Sequence, residues 1–436
     1  MDIDALITAA KKRMKKWWSN PIGLHRPAVS YHRTIPGVPL ASFDRWKWGK
    51  EAIAAINWPF SSEKERFDLI KQSLNAKDPE AGMFPPFPSR ALDDTELPRD
   101  IIEEMAQEQL ASVAPILPLG EAIPSVWPNF GAGALAPCLG KGSSFPVWSD
   151  ESHTIWFEVA RPWDELQKLE LDLKSPYWQW IETATVELCK NAPAAITVGH
   201  TDLGGILDIL ASLRGANNLL KDLIKNKEQV HKARRQILDA WQEAYDKLWN
   251  HMQSRPSGQE GSNSWLGVWY PGRGYTIQSD FAYMLDSKRW EEFVLPDVKE
   301  QCNRLDNAIY HLDGVGQIPH LDSLLEIENL GGIQWVPGAG KDPVDTSTWL
   351  EIIVKKVLKA GKRLQLGIAA DRIWLLLDRL DEPQGLYCEC GHVPEFTEEM
   401  FLPWINYTEE ELQTKPWYEE EFYQEMNDED DDYFKF

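Results

Sequence analysis

Ala308-Ile309-Tyr310-His311-Leu312-Asp313-Gly314 is the stretch on which the reading of the chain turns. A short apolar run ends in a histidine, an aspartate two places on, and a glycine. A run of this length reads as a buried strand, and its polar end marks where strand gives way to loop. Residues two apart on a strand point the same way, so His311 and Asp313 can reach one ligand or hold one imidazole tautomer. That arrangement supports acid–base work and metal ligation equally.

The same pattern recurs on both sides. Residues 154–160, 194–199, 265–270, 332–336, 363–368 and 385–388 are short apolar or β-branched runs separated by helix-like segments. With 308–312 and a further run at 122–127, they approach the eight strands of a barrel. Such alternation is the signature of parallel strands joined by crossover helices. The expectation is an α/β fold of the (β/α)8 TIM barrel type over 116–408, with its chemistry where strands end. The clearest helix carries Val230, Ala233, Ile237, Ala240, Trp241, Ala244 and Leu248 at three- and four-residue steps, a stripe suited to covering a barrel. Residues 1–115 read as an elaborated helical N-terminal extension, with helices at 2–18, 62–74 and 99–110 and a proline-rich break at Phe84-Pro85-Pro86-Phe87-Pro88. Residues 409–436 read as an acidic C-terminal tail, a solvated end.

Composition narrows the function. A chain of 436 residues, 43% hydrophobic, buries a large core. Its net charge of -23 argues against nucleic-acid binding, which needs a basic surface. No run reaches the length of a membrane span, nothing at 1–19 reads as a secretory signal, and five scattered cysteines do not form a disulfide framework. The expected location is the cytoplasm. Tryptophan, at 21 residues, is abundant, and several fall in loop-like stretches where they can wall a pocket.

The strand ends give a candidate ring of functional residues: Glu158, His200 with Asp202, Tyr270, His311 with Asp313, Gln334 with Trp335, and Cys388 with Cys390. Residues 388–392 contain Cys-x-Cys-x-His, which lacks the paired spacing of structural zinc sites. A metal shared between His311 and a late cysteine fits barrel geometry better. No P-loop, Gly-x-Ser-x-Gly elbow or dinucleotide fingerprint is present, so triad hydrolysis and nicotinamide chemistry recede.

Taken as an ordered series, Asp208-Ile209-Leu210-Ala211-Ser212-Leu213-Arg214-Gly215, Gln278-Ser279-Asp280-Phe281, Phe293-Val294-Leu295-Pro296, Tyr310-His311-Leu312-Asp313-Gly314, His320-Leu321-Asp322 and Gly332-Ile333-Gln334-Trp335-Val336-Pro337-Gly338 resemble the uroporphyrinogen decarboxylase-like superfamily. That superfamily includes the decarboxylase and methyltransferases serving corrinoid proteins, and it too implies a (β/α)8 barrel. In the methyltransferase branch the His311 segment usually reads His-x-Cys, and that pair with a late cysteine binds zinc. Here Asp313 stands at the second ligand position, a harder donor less suited to activating a thiol. The resemblance thus implies a methyltransferase-like enzyme acting on a small methylated compound, with a corrinoid carried by a partner protein. His311, Asp313 and Cys390 would hold zinc or another divalent metal. Asp280, His200 and Glu158 would supply acid–base or positioning roles, and Trp265, Trp269, Tyr270, Tyr310, Gln334 and Trp335 would contact the substrate. Two rivals stand beside it. One is a metal-free decarboxylase or lyase using Asp280, His311 and Tyr310 on a small carboxylate; for the arginine-rich motif by which the decarboxylase itself grips substrate carboxylates only Arg26 and Arg33 could stand in, and tetrapyrrole decarboxylation is not expected. The other is a barrel that binds a small ligand without catalysis.

Overall fold

The run that ends in His311 is a strand, Asn307–Asp313, and it lies parallel to Gly274–Gln278. This computed structural model describes residues 2–20, 24, 26–39, 41, 43–57, 99–140, 145–149, 154–158, 161–402 and 405, the side chains of 53–57, 145–149, 154–158, 396, 400 and 401 excepted. The expected helix at 62–74, the proline-rich break at 84–88 and the acidic tail lie outside the described residues. In chain order the strands are β1 (Ala28–Thr34), β2 (Ile116–Gly120), β3 (Ser125–Val126), β4 (Phe145–Ser149), β5 (Thr154–Glu158), β6 (Thr197–Val198), β7 (Ser262–Asn263), β8 (Trp269–Tyr270), β9 (Gly274–Gln278), β10 (Asn307–Asp313), β11 (Gly332–Val336), β12 (Arg363–Gly367) and β13 (Leu386–His392). The structure is mixed α/β, and most strand pairs are parallel. Among the described residues the ladders form no closed ring.

The first of two compact units gathers Met1–Ile35, Leu117–Ile123 and Gly332–Phe436. Its strands run in the order β2-β1-β13-β12-β11, parallel at β1/β13, β13/β12 and β12/β11. One face is apolar: Val29, Ile333, Leu364, Leu366, Leu386 and Cys388 are fully buried. The register puts Ser30, Gln334, Gln365 and Glu389 on the other face. The N-terminal segment, expected to be a helical and irregular extension, therefore supplies a strand. The helix Ile3–Ser19 matches expectation, with Asp2 capping it through Ala5 N–H at 3.2 Å. It buries Ile7, Ala10, Met14, Trp17 and Trp18, and Arg363 donates to the carbonyls of Trp17 and Trp18 at its end.

Glu121 is the electrostatic anchor of this unit. It is fully buried, and Arg13 (2.6 Å), Arg26 (2.7 Å) and the Val29 N–H (2.7 Å) all donate to its carboxylate. Burial works to raise its pKa, but Arg26, Arg13 and the Val29 N–H overcome it and bring the carboxyl down to about 2. Arg26, considered above as a grip for substrate carboxylates, is committed here to Glu121, and Arg33 pairs with Glu395 at 2.6 Å and with Glu398 at 3.3 Å.

The second unit spans Pro36–Ile116 and Pro124–Gly331. It holds the parallel pairs β3/β6 and β9/β10 and the antiparallel pairs β4/β5 and β7/β8. Of the run 154–160, expected as a parallel strand, Thr154–Glu158 instead pairs antiparallel with β4, because four residues, 150–153, are too short a link for a crossover. The run 265–270 is strand only at its end: a turn closed by Gly267 N–H to Ser264 O, with Gly267 at φ 82°, breaks it. The long helix, Lys227–Gln253, buries the expected stripe and adds Tyr245 and Met252. Gly215, at φ 82°, separates the helices Ile206–Arg214 and Ala216–Lys225, a backbone shape that other residues rarely adopt. No helix among the described residues is long and apolar enough to cross a membrane.

Candidate functional site

β9 and β10 end side by side, with Gln278 paired to His311. Past β9 the chain enters a short turn, Asp280–Met284, whose first residue meets the end of β10. Asp280, His311 and Asp313 each bring one potential ligand atom to within 4.8 Å of the others. His311 Nε2 lies 4.0 Å from Asp313 Oδ2. The side chains of His311 and Asp313 are 13% and 42% exposed, so solvent reaches the group. Trp265 stands edge-on to the His311 ring at 5.1 Å, anchored by its indole N–H to Thr276 O.

Behind this group lie two more carboxylates. Asp208 accepts the backbone N–H of Asp280 at 2.9 Å and of Phe281 at 2.7 Å, fixing the turn. Asp202 accepts from Gly204 N–H at 2.9 Å and from Gln278 Nε2 at 3.1 Å. A Cβ on Gly205 would lie 2.3 Å from both Asp208 Oδ2 and Gln278 O, so only glycine lets the 201–208 segment close onto the end of β9. Among the described residues no lysine or arginine forms an ion pair with Asp202, Asp208 or Asp280. Burial, and then neighbouring carboxylates, push all three carboxyls up to about 7. One oxygen of Asp280, Oδ1, is buried and accepts no hydrogen bond among the described residues.

The structure distributes the other sequence candidates differently. His200 is fully buried, stacked on Tyr245 at 4.2 Å and edge-on to Tyr275, and burial lowers its pKa to about 4, so its ring is neutral. Tyr310 is enclosed, donates to Gln317 Oε1 at 2.9 Å, and has its phenol pushed up by burial and by nearby Asp208 and Asp280. Trp269 and Tyr270 are buried, bonded to Glu260 O and Thr276 Oγ1. Trp335 is buried against Trp349 at 5.3 Å. Gln334, Trp335 and Cys390 belong to the first unit. Cys390 lies on β13, and burial followed by Glu389 pushes its thiol up to about 12. The side chain of Glu158 lies outside the described residues. Asp208 and Gln278 were missed as functional residues. The glycine pair Gly204-Gly205 between Asp202 and Asp208 is the one signal in the chain that marks their tight approach.

No protein family's sequence profile matches the chain, and no curated protein matches it. The class is therefore set by fold and site: a mixed α/β chain with an acidic, histidine-bearing group at the ends of two parallel strands.

Proposed function

We propose that this chain is a metal-assisted enzyme acting on a small molecule, with Asp280, His311 and Asp313 holding a divalent cation. The observation that carries the reading is the convergence of these three donors, on a residue, Asp280, that also keeps a buried oxygen accepting no hydrogen bond among the described residues. Buried carboxylates without a cationic partner are unfavourable, and a divalent ion would supply the missing charge. Two carboxylates and one imidazole suit zinc, and also manganese, since no thiolate takes part. Asp280 replaces Cys390 in the proposed ligand set. A bound cation of this kind polarises a heteroatom of the substrate as a Lewis acid. Asp208 would hold the Asp280 turn in place, and Trp265 would wall the substrate beside His311.

The reaction that the resemblance favours is methyl transfer from a small methylated compound, with a corrinoid protein as partner, inside a (β/α)8 barrel. Parallel pairing within each unit and helices between strands support the barrel. The scatter of the five cysteines along the chain, with no disulfide among them, supports a cytoplasmic chain. A metal-free lyase or decarboxylase is the second reading, favoured by Asp280 being held near pH 7, where it can act as a general acid.

Metal content by mass spectrometry on the purified chain and on His311→Ala tests the primary reading. One divalent ion per chain, lost in the variant, supports it and directs screening to methylated substrates with a corrinoid acceptor. A chain that takes up no divalent ion even when supplied with zinc or manganese sinks it in favour of the metal-free lyase.

A further inference from the structure

The polar face of the first unit's sheet carries a second arrangement of note. Gln365 donates Nε2 to Glu389 Oε2 at 2.8 Å. Its own Oε1 is buried and accepts no hydrogen bond among the described residues, and no ion pair involving Glu389 occurs among them. Gln365 Oε1 thus stands without a donor, and Glu389 beside it has one hydrogen bond, from Gln365 itself, but no cation among the described residues. Gly367 pairs in register with Glu389, and a Cβ built on Gly367 meets nothing within 4 Å. Open space therefore lies beside Glu389 at the carboxyl end of β12, the end of a parallel strand where ligands are usually bound. A group that answers both acceptors must bring N–H donors and positive charge, which a primary ammonium does.

We propose that Gln365 and Glu389 form a recognition site for a primary ammonium group, seated over Gly367. The ammonium donates to Gln365 Oε1 and to the Glu389 carboxylate, and its substituent occupies the space that Gly367 leaves open. Its residues all belong to the first unit, and the proposal does not rest on the metal centre.

Calorimetric titration of the full-length chain with n-butylammonium chloride, and with n-butanol as the neutral isostere, tests it. The ammonium is expected to bind and the alcohol not. Glu389→Gln removes the charge at constant shape and is expected to weaken ammonium binding at least about tenfold. Gly367→Val fills the space at an exposed strand position and is expected to abolish binding while leaving the thermal transition in place. Asp280→Asn is expected to leave ammonium binding unchanged. Absence of ammonium binding, equal binding of the alcohol, or an unaffected Glu389→Gln overturns the proposal. Loss of binding in Asp280→Asn also overturns it, and assigns the cation to the acidic group of the second unit.

Discussion

Two buried acids in this chain have opposite fates. Glu121, in the first unit, receives Arg13, Arg26 and a backbone N–H, and its carboxyl falls to about 2. Asp280, in the second, has no lysine or arginine partner among the described residues, and burial lifts its carboxyl to about 7. Burial works to raise both carboxyls, so the contrast turns on what compensation does. A compensated buried acid holds structure together. An uncompensated one leaves charge-binding capacity unused, which marks a site for something that arrives from outside.

Breaking the compensated side should have the largest effect. Glu121→Ala leaves the buried Arg26 without its carboxylate, and urea denaturation should show a loss of about 3–5 kcal/mol. On the other side, Asp208→Asn disturbs the clamp on the Asp280 turn, and competition with a chromophoric chelator should show divalent-ion affinity falling about 10–100-fold. The two acids should also impose opposite pH dependences. Asp280 rises from 3.8 to about 7, so in the metal-free chain its contribution is fully present below pH 3.8 and is lost as pH rises through about 7. Glu121 falls from 4.5 to about 2, so its contribution is present above pH 4.5 and is lost as pH falls through about 2. Urea midpoints across pH should therefore decline toward neutrality in the wild type, decline less in Asp280→Asn, and lose the acid-side drop in Glu121→Gln. The sign of the last effect sharpens the comparison most. Asp280→Asn should raise stability at pH 7, although it disrupts the centre. A loss as large as that of Glu121→Ala would show that the two acids are not different in kind.

The sequence made some of this legible. The strand at 332–336 and the stripe on the long helix could be read directly, because their apolar periodicity is strong and tertiary contacts reinforce it. β9 escaped notice although all five of its residues are buried. Only Tyr275 and Ile277 of the five carry large apolar side chains, and Thr276 is satisfied by the hydroxyls of Ser264 and Tyr270, partners that a linear reading does not supply. β1 mixes His32 and Arg33 with apolar residues next to a proline, which hid its place in the sheet. His311 and Asp313 were visible as the polar end of a strand. Asp208 was not, since its role exists only once the 201–208 loop meets the turn at 280, and that meeting depends on Gly205 having no side chain.

β1 and β13 sit side by side, so one strand near the start of the chain pairs with one near its end. The donors of the proposed metal centre, by contrast, all come from the segment 280–313. During synthesis the centre's ligands emerge from the ribosome together and can meet through short loops. The first unit's sheet must wait until residue 392 has been made. A nascent chain stalled between these points would carry the ligands of the ion but not the completed sheet, and the ion's own binding energy would then help hold that intermediate together.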